Sequence, residues 1–72
     1  MPSLPSLKPR DVEKILLQND FYIKRQTGSH RIYHNIQNNA IVVVPFHNQD
    51  IPKGTLRSIV RQSKLSLGAF LK

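Results

Sequence analysis

Three runs with strand periodicity lie between residues 21 and 44, and the links between them are too short for anything but an antiparallel meander. Across residues 21–26, Phe21 and Ile23 alternate with Tyr22 and Lys24, so one face of that strand turns inward. Across residues 29–35, His30, Ile32 and His34 share a face with Ile36, while Arg31, Tyr33 and Asn35 point the other way. Residues 40–44 form the most β-prone run of the chain and end at Pro45, which cannot donate to a central ladder. A parallel pairing needs a crossover of a dozen or more residues. The links here are the turn around Gly28 and the polar Gln37-Asn38-Asn39. Gly28 takes φ > 0 without steric cost, which suits a tight hairpin turn and places His30 at the start of the second strand.

Helical periodicity flanks the strands on both sides. Pro9 suits a first helical turn, Asp11 and Glu13 favour the positive end of the helix dipole, and Val12, Ile15 and Leu16 make an apolar stripe up to a stop at Asn19-Asp20. After a loop carrying His47 and Asp50, Lys53-Gly54-Thr55 opens a second helix with Leu56, Ile59 and Val60 inward and Lys53, Arg57, Arg61 and Lys64 on the other side. Leu67, Phe70 and Leu71 are spaced for a short closing helix within residues 65–72. Residues 1–7, with two prolines and two serines, read as a flexible arm contributing little, which leaves residues 8–72 as a single domain. The expected fold is α+β, in the order α-β-β-β-α, with a three-stranded antiparallel sheet and two helices on one face. Val12, Ile15, Leu16, Ile41, Val43, Leu56 and Ile59 are its expected core.

Composition narrows the function. A 72-residue chain has room for one core, and a chain of that size buries only about 60% of the surface its unfolded form exposes, so its stability margin is thin. No cysteine staples it, and three scattered histidines without cysteine make no structural zinc site. Asp11, Glu13, Asp20 and Asp50 lack ligand spacing, and GxxxxGK[ST], GxSxG and CxxC are absent, so neither a metal nor a small-molecule cofactor is expected. No apolar run approaches the roughly 18 residues of a membrane span. The N-terminus also lacks the basic and apolar regions of a signal peptide, so a cytoplasmic protein without a membrane partner is expected. Eleven Lys and Arg against four Asp and Glu give a net charge of +7. That excess points to a polyanion, with nucleic acid first and an acidic protein or anionic surface as alternatives. A solvated basic surface is the plainer account.

The meander sets the start of the second strand beside the ends of the other two. His30 should therefore lie near Arg25 and Pro45, within reach of the loop bearing His47 and of the second helix start with Lys53 and Thr55. Cleaving RNA without a metal requires deprotonating a 2′-hydroxyl, protonating a leaving oxygen and stabilising charge on phosphorus. Histidine titrates near neutrality and can move the protons. His30 is the candidate base or acid, Ser29 and His47 are supporting or alternative groups, and Lys24, Arg25, Arg31, Lys53, Arg57 and Arg61 are candidate RNA contacts. A half-buried strand histidine and a solvated charge stripe are the bland alternatives. His34 belongs to the far end of its strand, and Tyr33 either stacks on a base or covers sheet surface.

Gly28-Ser29-His30, then Val44-Pro45-Phe46-His47, then Pro52-Lys53-Gly54-Thr55-Leu56-Arg57-Ser58-Ile59-Val60-Arg61-Gln62, in that order and spacing, resemble the HicA toxins, also called YcfA-like proteins, of toxin–antitoxin pairs. The likeness runs from about Val12 to Leu71. It implies a double-stranded-RNA-binding-domain-like fold, ribosome-independent cleavage of mRNA or other single-stranded RNA, and neutralisation by a HicB-type antitoxin. The family's essential histidine falls on His30, its glycine on Gly28, and the histidine after its Val-Pro element on His47. Ile51-Pro52 departs from the common Leu-Lys at that point, and the segment before Lys8 is longer than in many relatives; neither touches Gly28 or His30. A non-catalytic RNA-binding module of the same fold is the rival reading.

Overall fold

Helix α1 (Pro9–Leu17) starts at a proline whose nitrogen needs no partner there. Lys8, at the N-cap, has no side-chain acceptor to offer; the Asp11 carboxylate instead accepts the Lys8 backbone N–H at 2.9 Å. Val12, Ile15 and Leu16 are buried along one side. Beyond the helix, the Asn19 amide donates to the Ile15 carbonyl at 2.7 Å, and Asp20 at φ 70° redirects the chain into the sheet. The computed structural model describes residues 4–71.

Strands β1 (Phe21–Thr27), β2 (His30–Asn35) and β3 (Ile41–Pro45) form one antiparallel sheet in the order β1-β2-β3, the meander that the short links require. Phe21 pairs with Asn35 and Ile23 with Tyr33, after which Lys24 is an extra residue and Arg25 pairs with Ile32. That bulge returns Arg25 to the face opposite Ile23. The link from β2 to β3 is organised by buried Asn35, whose Oδ1 accepts the Gln37 and Asn38 N–H groups at 2.7 and 2.9 Å while its amide donates to the Asn19 carbonyl at 2.8 Å. One side chain thus ties the end of α1 to the sheet.

Helix α2 (Lys53–Ser63) buries Leu56, Ile59 and Ser63, and ends at Lys64 in the left-handed region at φ 60°. A 3₁₀ turn (Leu67–Phe70) replaces the expected closing helix; its four residues suffice to deliver Phe70, which is fully buried. Helix α1 packs on β1 and β3, and α2 on β3, all on one face of the sheet. The molecule is 17 Å across its thinnest direction. That is room for one sheet and one layer of helices, about 10 Å apart. The second face of the sheet is therefore bare.

Three further expectations change. Val42 and Val44 are fully buried, whereas Ile41 and Val43 are 50% and 41% exposed on the bare face. A run of consecutive apolar residues carries no parity of its own; the pairing of Tyr33 with Val42 decides it. Tyr33 is fully buried among the core residues, so it neither stacks on a base nor covers open surface. Residues 4–7 are docked rather than free: Leu4 is buried, Ile51 N–H donates to the Leu7 carbonyl at 2.8 Å, and the Lys53 ammonium donates to the Leu4 carbonyl. The remainder of the expected arm, residues 1–3, lies outside the described residues, as does Lys72.

Candidate active site

The open face of the sheet consists of three rows of paired residues. Tyr22, His34 and Ile41 form one, Arg25, Ile32 and Val43 the next, and Thr27, His30 and Pro45 the last. Among them, Tyr22, Arg25, Thr27, His30, Ile41 and Val43 are exposed. His30 thus stands at the mouth of the hairpin on rigid backbone, with Arg25 one row away on the same face. The turn beneath it is held by Gly28 at φ 55°, a conformation that costs an L side chain about 1–2 kcal/mol. A methyl at Gly28 would meet nothing within 4 Å. The glycine is therefore needed for its backbone alone.

Ser29 contributes its carbonyl, which accepts the Phe46 N–H at 2.5 Å and fastens the hairpin tip to the end of β3. This bond brings the backbone next to His30 up to the backbone next to His47, as the meander predicts. The imidazoles then part. His30 belongs to the open face, whereas His47 lines a cleft with Lys8, Arg10, Phe46 and Asn48 beside the start of α1. The start of α2 is neighboured instead by residues 4–7, where the Lys53 ammonium is engaged. Arg57 and Arg61 are exposed on α2, a helix whose buried side faces the sheet, so they lie on the outer surface of the helix layer and away from the open face.

Arg31, a candidate RNA contact from sequence, points into the covered side. Its Nη1 donates to Glu13 Oε2 at 2.8 Å, the Tyr33 hydroxyl donates to the same oxygen at 2.5 Å, and the guanidinium lies 3.9 Å from the centre of the Phe46 ring. The Arg31 Nε–H is buried without a partner among the described residues. Burial pushes the Tyr33 phenol far above its ordinary range, and the bond to Glu13 adds to the shift. The same carboxylate holds the Arg31 guanidinium more firmly charged. These groups clamp α1 to β2 and fix Phe46 at the exit of β3.

His34 lies toward the far end of β2, as expected, and its ring is fastened at both nitrogens. Nε2 lies 2.5 Å from Asn39 Oδ1 and Nδ1 2.8 Å from the Tyr22 hydroxyl, with the two rings edge to face at 5.5 Å. Since Oδ1 only accepts, Nε2 donates to it, and in the neutral ring with that tautomer the tyrosine donates to Nδ1. Tyr22 and His34 occupy one register row, a relation that strand pairing could have shown in advance. Asn39, brought round by a turn at φ 63°, carried no such signal.

Among the described residues, no three His, Asp or Glu side chains converge as metal ligands would. Nor is any helix of the described residues long and apolar enough to cross a membrane. A family model described as the HicA toxin of bacterial toxin-antitoxin matches residues 9–65 of the 72. No curated protein matches the chain.

Proposed function

Because the chain belongs to the HicA toxin family, we propose that it is the toxin of a toxin–antitoxin pair and an endoribonuclease that cuts mRNA with His30 as its proton-transfer group. The observation that carries this reading is the position of His30: exposed, at the first residue of β2, with Arg25 on the same face and no side-chain partner occupying its ring among the described residues. A general acid or base must reach the atom it serves, and an unoccupied imidazole on rigid backbone meets that condition. His34 does not meet it, since both its nitrogens are taken.

In the reaction proposed, the 2′-hydroxyl of one ribose loses its proton as its oxygen attacks the adjacent phosphorus, and the leaving oxygen gains one. His30 serves one of these transfers. Arg25 and the bulged Lys24 stabilise the charge gathering on the phosphoryl oxygens. Arg57, Arg61 and Lys53 act at longer range, attracting RNA through the net charge of +7. His47, a neighbour in backbone but not in facing, is assigned to binding. Cleavage on this plan exchanges the P–O5′ bond for a P–O2′ bond and draws on side chains alone, without metal or cofactor. A HicB-type antitoxin is the proposed neutralising partner; by binding only the folded toxin it raises the melting temperature of this small domain.

The test is incubation of the purified protein with end-labelled RNA. Shortened RNA supports the reading, while a mobility shift with intact RNA assigns the chain to non-catalytic binding.

A further inference from the structure

We infer that the cleft between the start of α1 and the exit of β3 is a second RNA subsite, taking the nucleotide next to the one whose phosphate lies at His30. This rests on the endoribonuclease reading above and extends it to six residues, Lys8, Pro9, Arg10, Phe46, His47 and Asn48, which line a cleft of about 420 Å³. Small-molecule sites run from about 300 to 1,000 Å³, so one nucleotide is of the right order.

The lining supplies what a nucleotide needs. Lys8 and Arg10 are exposed cations flanking the first residue of α1, where the Arg10 N–H is not used by the helix ladder and the dipole favours an anion. His47 and Asn48 are exposed and add ring and amide donors. Phe46 is half-buried, and Arg31, which covers part of its ring, is not in the cleft wall, so the ring offers the cleft a separate apolar surface for a base or ribose. Two carboxylates border the site. Asp11 is committed to the Lys8 N–H, and Asp50 lies 3.4 Å from the Lys8 ammonium in a pair exposed on both sides, which a phosphate can displace at little cost.

Position makes the cleft part of the same binding path. His30 pairs with Pro45, and the next residue, Phe46, is bonded through its N–H to the Ser29 carbonyl. A strand lying against His30 and running off the end of β3 meets Phe46 first and the cations of α1 next. The site was invisible in the sequence because Lys8 and Arg10 precede His47 by more than thirty-five residues and only the docking of α1 on β3 joins them.

The experiment measures binding of a short single-stranded RNA fully 2′-O-methylated, which cannot be cut for lack of a 2′-hydroxyl, by wild type, Lys8→Gln/Arg10→Gln, and Arg57→Gln/Arg61→Gln. The two variants lose the same charge, and melting curves establish that each is folded. The cleft variant is expected to bind at least tenfold more weakly, with a log–log salt slope shallower by about 1.4 for two phosphate contacts. The α2 variant should lose no more than threefold. On cleavable RNA the cleft variant should raise KM and leave kcat within twofold. Equal losses in both variants reduce the cleft to general charge and overturn the inference, as does a cleft variant that binds like wild type. If wild type binds but never cuts, a selective loss in the cleft variant still supports the subsite while the nuclease reading falls. If wild type cuts and the cleft variant is unaffected, only the subsite falls. Absence of RNA binding by wild type removes both.

Discussion

On the covered side of β2, Arg31, Tyr33 and Asn35 engage Glu13, Phe46, Asn19 and the following turn; on the open side, His30 has no side-chain partner among the described residues. The same six-residue strand thus spends one set of alternate residues on fastening helix to sheet and, on the other, leaves His30 available. A domain this small has little surplus stability, so polar groups that help fasten helix to sheet cannot also be offered to a substrate. The open face is where a reactive group can be carried without weakening the core.

His30→Ala should have the largest consequence of any single substitution. Cleavage should fall by about 10²–10⁴-fold, the usual contribution of a general acid or base, and the melting temperature should barely move, because the exposed imidazole leaves no cavity. A His30→Ala protein that unfolds, beside a His30→Gln protein that folds and still cuts, would make His30 structural. A dead His47→Ala beside an active His30→Ala would reverse the two histidines.

Next in size is salt. Contact with three phosphates of a single strand gives a log–log slope of roughly −2, so RNA affinity should drop by roughly 16-fold between 50 and 200 mM. A flat response, read by fluorescence anisotropy, would remove phosphate contacts from the open face.

The covered face predicts a thermodynamic loss instead. Tyr33→Phe deletes a hydrogen bond to a carboxylate and should cost about 1.5–3 kcal/mol in denaturant unfolding, while Tyr22→Phe on the open face stays within about 0.5 kcal/mol. Equal costs would erase the distinction between the faces. Alkaline pH sharpens the same contrast. The folded protein keeps the Tyr33 proton well above the ordinary phenol value of about 10. The folded state then binds the proton more tightly than the unfolded, so the contribution of Tyr33 is complete below about pH 10 and is lost as pH rises further. Wild type should therefore lose stability more steeply than Tyr33→Phe above pH 10. The smallest expected effect is none: EDTA should leave cleavage unchanged, and activity lost to EDTA and restored by Mg²⁺ would overturn the metal-free mechanism.

Element order, hairpin turn and sheet topology were legible because each is a local property. Loop length forbids parallel pairing, Pro9 and Gly28 mark a helix start and a turn, and apolar spacing along residues 12–16 and 56–59 marks the faces that helices bury. The site was legible in part. The position of His30 at the hairpin follows from the same local signals, but the parting of His30 from His47 does not, since it depends on which way the chain turns after Pro45. The engagement of Arg31 with Glu13 and Phe46 was not legible, because a lysine- and arginine-rich composition says nothing about which cations already have a partner in the fold.

What the chain determined by itself was periodicity, chain reversal and charge, quantities set by neighbours a few residues apart. Tertiary structure decided the rest. The parity of β3 was open in a run of apolar residues until Tyr33 paired with Val42; residues 4–7 were docked by bonds from Ile51 and Lys53; and Glu13, Arg31 and Tyr33 met only when α1 lay on the sheet. Each of these outcomes rests on contacts between segments remote in sequence, whose energies exist only once the chain has closed on itself, so no local pattern could carry them.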